Sequence, residues 1–126
     1  MQAGSGRWRR GVQTLACICV CAGGLAACES IQRSSDFERH RHSRLSEPYD
    51  RNDVMYFDVR FDTAYPDEDP GAESIRLEWL AAWLRQRKMC VEGYEIVKRR
   101  PFGTMEDNPA RYDVRYEVTC KPGVGS

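Results

Sequence analysis

The sequence predicts an α+β fold: a small β-α-β-β domain over residues 54–121, with a three-stranded antiparallel sheet of order 1-3-2 carrying one helix on one face. Three observations lead there. Apolar residues alternate strictly with polar ones at Met55–Asp62 and again at Tyr112–Cys120, which is the period of a half-buried strand. Between them, Ile75, Leu77, Trp79, Leu80, Trp83 and Leu84 recur at helical spacing. Asp69-Pro70 immediately before that stripe has the chemistry of a helix start.

The first strand places Met55, Phe57, Val59 and Phe61 on the covered face and Tyr56, Asp58, Arg60 and Asp62 on the other. Asp67-Glu68-Asp69-Pro70 follows. These acids lack the ligand spacing of a calcium loop, whereas carboxylates beside a helix N-terminus are favoured by its partial positive charge. Asp69 is therefore the expected N-cap and Pro70 the first helical residue. The helix over Ala72–Met89 turns its apolar stripe to the sheet and leaves Ser74, Glu78, Arg85 and Lys88 toward water, with Arg85, Arg87 and Lys88 suited to its negative end. Both tryptophans of the stripe are read as core, because one helix covering a small sheet needs large side chains. Gly93 ends the excursion, Tyr94–Phe102 is a second, more polar strand, and 103–109 is a turn-rich loop. The third strand is the most apolar on one face and so belongs at the centre, while Lys98, Arg99 and Arg100 suit an edge.

This topology brings the end of the helix and the end of the third strand to the same edge of the domain. Cys120 shares the parity of Val114, Tyr116 and Val118, so a Cys90–Cys120 disulfide is expected. A domain of roughly 70 residues buries too little to be secure unaided, and such a staple is common in small exported domains. Because one helix covers only one face, Tyr56, Asp58, Arg60 and Asp62, with Asp113, Arg115, Glu117 and Thr119, are expected to line the opposite face. That face is either solvated through cross-strand ion pairs or a polar partner-binding surface.

The N-terminal part is of a different kind. Arg7, Arg9 and Arg10 precede an apolar run from Val12 to Ala22, shorter than the roughly 18 residues of a membrane-spanning helix and of signal-peptide length. Leu25-Ala26-Ala27-Cys28 ends the stretch. It resembles the lipobox of bacterial lipoproteins: an aliphatic residue, two small residues and the cysteine that is lipidated. Val20 before Cys21 and Ile18 before Cys19 are too large for that role, and Cys17 comes too early. The resemblance covers residues 1–28 and implies a diacylglycerol thioether on Cys28, cleavage after Ala27 and acylation of the new amine. Each buried methylene contributes about 0.8 kcal/mol, so two or three chains anchor firmly.

Of the six cysteines, Cys17, Cys19 and Cys21 would leave with the signal peptide and Cys28 would be lipidated. Cys90 and Cys120 then remain in a compartment where disulfides persist. Removal of Arg7, Arg9 and Arg10 takes the 19 basic residues to 16 against 19 acidic ones, a balance that argues against nucleic-acid binding. Residues 28–53 are expected as a lipidated N-terminus and flexible polar tether, since Glu29–Asp53 has few apolar residues and no period. Its reach would be on the order of 30 Å. His40 and His42, flanked by arginines, make a poor metal pair and are read as part of this solvated linker. Residues 122–126 are expected as a disordered tail.

Both histidines lie in the expected tether, and no nucleophile elbow or glycine-rich phosphate loop occurs. Catalytic residues, metal ligands and a small-molecule cofactor are therefore not expected. The expectation is a lipid-anchored envelope protein that serves as a binding or assembly accessory for a protein partner. The alternatives are a structural link from membrane to cell wall and, least favoured, a carboxylate-dependent wall hydrolase, which would need a cleft. In many Gram-negative lipoproteins an aspartate directly after the lipidated cysteine retains the protein in the inner membrane, so Glu29 points to the outer membrane, facing the periplasm.

Overall fold

A computed structural model describes residues 23–123. The expected signal peptide falls largely on residues 1–22 and part of the expected tail on 124–126, both outside the described residues. The described chain runs α1 (Gly23–His42), β1 (Ser43–Ser46), β2 (Met55–Val59), α2 (Pro70–Gln86), β3 (Tyr94–Pro101) and β4 (Val114–Cys120). The strands form one antiparallel sheet in the order β1-β2-β4-β3.

The three expected strands are β2, β3 and β4, and β4 does lie between the other two. The sheet is nevertheless four-stranded, with two helices among the described residues. The added elements come from the stretch expected as a tether. In place of a flexible linker, residues through His42 are helical and Ser43–Ser46 pairs with β2 along its whole length. The strand was invisible because only Leu45 is apolar, yet Ser43 and Leu45 both turn inward, Leu45 to 1% exposure opposite Phe57. Helix α1 has no apolar stripe; the Asp36–Arg39 ion pair, the Glu38–His42 contact and the basic last turn support it.

Helix α2 begins as its sequence dictates. The Asp69 carboxylate accepts the Ala72 N–H at 3.0 Å and Pro70 takes the first position. The helix stops three residues short of the expected Met89. Lys88 adopts a left-handed conformation (φ 55°) and the Met89 N–H turns back to the Leu84 carbonyl at 2.9 Å. Gly93, at φ 104°, is suited to the turn into β3, where its carbonyl accepts the Lys121 N–H at 2.9 Å.

The core joins Leu45, Phe57, Val59, Trp79, Leu80, Leu84, Val114, Tyr116 and Val118. One expected member is displaced: Ile75 is substantially exposed, and the adjacent Arg76 is fully buried at 0% exposure. Its guanidinium donates to the Glu73 carboxylate (2.9 Å) and to the carbonyls of Tyr65, Pro66 and Asp67 (3.0–3.2 Å), over the Phe61 ring. The 65–67 turn supplies acceptors that the helical period could not reveal, so a charged side chain is buried at a position outside the expected apolar stripe.

Cys90 and Cys120 are bridged, with Cα atoms 4.7 Å apart and a sequence separation of 30. Replacing both by serine should lower unfolding stability by roughly 3–4 kcal/mol, measured by urea titration of oxidised and variant proteins. Truncation Leu45→Ala should cost about 2–5 kcal/mol, as for a buried core leucine. A change near zero would mean that β1 is not part of the cooperative unit.

Candidate functional site

The sheet face opposite α2 holds most of the residues singled out from sequence. At its centre Asp58 is completely buried. Arg115, its cross-strand partner, donates from Nε to Oδ1 at 2.7 Å and from Nη2 to Oδ2 at 3.0 Å, while Arg44 of β1 donates to Oδ2 at 2.8 Å. The Arg115 guanidinium lies between two rings, 4.0 Å from the centroid of Tyr56 and 4.6 Å from that of Phe102.

The network extends from there. Arg115 Nη1 donates to Glu106 (3.1 Å), which also takes Arg100 as a close partner and accepts the Gly103 N–H at 2.9 Å. Arg100 Nε stands 4.0 Å from Glu117, which accepts from Arg51 at 2.6 Å, and Arg51 in turn grips Asp53. Cation and anion thus alternate from Arg44 through Asp58, Arg115, Glu106, Arg100, Glu117 and Arg51 to Asp53. The segments carrying Arg51 and Phe102–Glu106 roof this face. It is a second, polar core, where an open charged surface was expected.

The expected partner-binding residues therefore separate into two groups. Tyr56, Asp58, Arg115 and Glu117 meet in the network. Arg60, Asp62 and Asp113 lie at the far end of β2 and serve the backbone: Arg60 reaches the Ala110 carbonyl, Asp62 accepts the Ala64 and Tyr65 N–H groups (2.7 and 3.1 Å), and Asp113 accepts the Phe61 N–H (2.7 Å). Alternation placed them on one face, but β2 ends at Val59, so the period stops before Arg60.

Electrostatics follow from the pairing. The Arg100 guanidinium, with the Gly103 N–H and the attraction of Arg100 and Arg115, holds Glu106 below the usual carboxylate range against the opposing effect of burial. Burial would lower Arg115, but hydrogen bonding to Asp58 and the charges of Asp58 and Glu106 outweigh it and raise the group. On the α2 side, desolvation raises the Tyr116 phenol, whose O–H donates to Glu73 at 2.8 Å while Arg99 Nε donates to its oxygen at 3.1 Å. A carboxylate held low is suited to accepting cationic charge and poorly suited to donating a proton.

A second cluster forms where α1 docks. The Trp83 indole N–H donates to Ser43 Oγ (2.9 Å), and the Ser43 hydroxyl donates to the Arg39 carbonyl (2.6 Å). His42, expected in a solvated linker, is buried against Trp79 and Tyr65, with Nε2 3.1 Å from Glu38 and 3.3 Å from Asp62. His40 is exposed and edges onto Trp83, so the two rings do not converge. Among the described residues no group of three or more His, Cys, Asp or Glu side chains is arranged to hold a metal ion. No signal in the sequence marked Ser43, Glu106 or Arg51; each acts through a partner in another element of the fold.

Cys28 is exposed on α1 and is the free cysteine among the described residues. It borders an open cleft of about 850 Å³ between α1 and α2, together with Ile31, Ala81, Ala82 and Arg85. Among the described residues no helix is long and apolar enough to cross a membrane. No protein-family model matches the chain, and neither the curated proteins nor the solved structures searched provide a match.

Asp58→Ala should destabilise the domain by about 3–5 kcal/mol, the cost of leaving buried guanidinium charge unpaired, and Arg115→Ala should do likewise. The double variant should lose less than the sum, giving a coupling energy in a double-mutant cycle. Charge reversal at either residue would unfold the protein before it could report on a partner. Glu106 contributes stability above the ordinary glutamate range that is lost as pH falls through its lowered folded value. Glu106→Gln should therefore flatten the acid side of a stability–pH profile followed by chemical denaturation.

Proposed function

We propose that this chain is a lipid-anchored protein of the bacterial cell envelope, held by acylated Cys28 and acting without catalysis as a binding or assembly accessory. The observation that carries the reading is Leu25-Ala26-Ala27-Cys28, whose cysteine is free and exposed at the outer part of α1. The Cys90–Cys120 bridge supports it, because such bonds persist in exported proteins. Glu29 favours the outer membrane, with the domain facing the periplasm.

The tether in this reading is a helix. From Cys28 to His42 it would span about 21 Å at 1.5 Å per residue, and its last turn is docked through Arg39, His42, Ser43 and Trp83. A docked helix fixes where the anchor point sits relative to the domain, which a coil would not. An accessory is preferred to a wall hydrolase because the central carboxylates of the sheet face, Asp58, Glu106 and Glu117, are each engaged by arginines.

Cys28→Ser should move the protein from the membrane fraction to the soluble or unprocessed pool, and mass spectrometry of the wild-type N-terminal peptide should show acyl chains on Cys28. Membrane retention of the variant with unmodified wild-type Cys28 would refute the anchor. Affinity capture from solubilised membranes should then recover protein partners; recovery of wall fragments alone would favour the structural link.

A further inference from the structure

The anchor and α2 lie on the same side of the sheet, and this has consequences for what α2 faces. The cleft bordered by Cys28 shares Ala81 and Arg85 with a second open cleft of about 550 Å³. That second cleft is lined by Leu84, Met89, Val91 and Tyr94, with Arg85 and Lys88 at its rim. Val91 is 87% exposed, and Ile31 on the α1 side is also exposed. The surface therefore runs without a break from the expected acylation site to an apolar depression bearing two cations.

Those cations lie outside the internal network, as do the exposed Arg41, Arg87, Lys98, Arg111 and Lys121, but Arg85 and Lys88 are the ones that border this cleft. Arg44, Arg51, Arg76, Arg99, Arg100 and Arg115 each hold a carboxylate partner. Neither Arg85 nor Lys88 has an ion pair among the described residues, and both are exposed. Carboxylates do occur near the first cleft, at Asp36 and Glu78, but Asp36 is occupied by Arg39 at 3.2 Å. An apolar depression with unpaired cations at its edge fits a surface offering anionic headgroups over hydrocarbon.

We infer that the outer surface of the C-terminal part of α2 and of the turn that follows it, from Ala81 to Val91, rests on the anionic lipid surface to which Cys28 is anchored, so that the domain is oriented rather than free to tumble about its anchor. The inference rests on the lipidation of Cys28 proposed above. The roofed sheet face, with Met105 96% exposed on its covering loop, then points away from the bilayer, and this is the side presented to a partner.

The test uses the acylated protein, its modification confirmed by mass, in vesicles containing phosphatidylglycerol. A photo-crosslinking amino acid, p-benzoylphenylalanine, replaces either Val91 or Met105. On irradiation, position 91 should give several-fold more phospholipid adduct than position 105. That excess should be lost in the Arg85→Glu/Lys88→Glu variant, in 1 M salt and in vesicles of phosphatidylcholine alone. Both substitutions are at exposed positions, and an unchanged near-ultraviolet circular dichroism spectrum would verify the fold. Equal lipid adduct at 91 and 105, an excess indifferent to charge reversal, or crosslinks from 91 to a second protein molecule would overturn the inference while leaving the anchor intact. A protein whose Cys28 carries no acyl chain would instead remove the anchor, and the orientation with it.

Discussion

Asp58 is a carboxylate with no access to water in the middle of a sheet, and much of the architecture exists to keep it paired. An isolated buried charge costs several kcal/mol. The compensation comes from both sides at once: Arg44 on β1 and Arg115 on β4 are its direct cross-strand partners. Three strands are thereby held in one register. A slip of one residue would carry Asp58 to the apolar side and Phe57 to the polar one, losing both arrangements together. The short β1 is needed for this reason as well as for Leu45, and Arg115 draws in Phe102 and Glu106, whose segment becomes the roof.

The opposite side of the sheet repeats the principle on a smaller scale. Tyr116 belongs to the apolar core, yet its hydroxyl meets Glu73 and Arg99, and Glu73 also holds the buried Arg76. Arg99 continues to Asp67 at 2.7 Å. The N-terminal turn of α2, the turn before it and the outer strand β3 are thus joined through polar atoms around one phenol. Strand β3 itself is largely exposed; it pairs with β4 across a register shift between Ile96 and Lys98, and it carries a lysine and a terminal proline. These features discourage pairing with another strand, so recognition through the free edge of β3 is disfavoured.

Arginine dominates because its planar fork can engage two acceptors while its face packs on a ring. Arg115 does both, and Arg99 likewise pairs with Asp67 while lying over Tyr116. Most such groups are engaged within the fold. Two notable parts of the surface are the outer end of α2, with unpaired Arg85 and Lys88, and the exposed length of α1 ending at Cys28.

What the sequence determined by itself was whatever depends on neighbours along the chain. Alternation over Met55–Asp62 and Tyr112–Cys120 marked the strands that run Met55–Val59 and Val114–Cys120, Asp69-Pro70 marked the start of α2, and strand order brought Cys90 to Cys120. Each rests on a local period or cap, or on a topology built from them. The lipobox resemblance is equally local. Only the tertiary structure decided that Ser43–Ser46 is a strand, that Arg76 is buried while Ile75 is not, and that the charged face is roofed. In those cases a polar side chain's fate is set by acceptors outside its own helix or strand: Asp58 for Arg44, the 65–67 carbonyls for Arg76, Glu106 for Arg115. Hydropathy assigns a charged residue to water because desolvation is costly, and only the folded chain supplies the partner that offsets that cost.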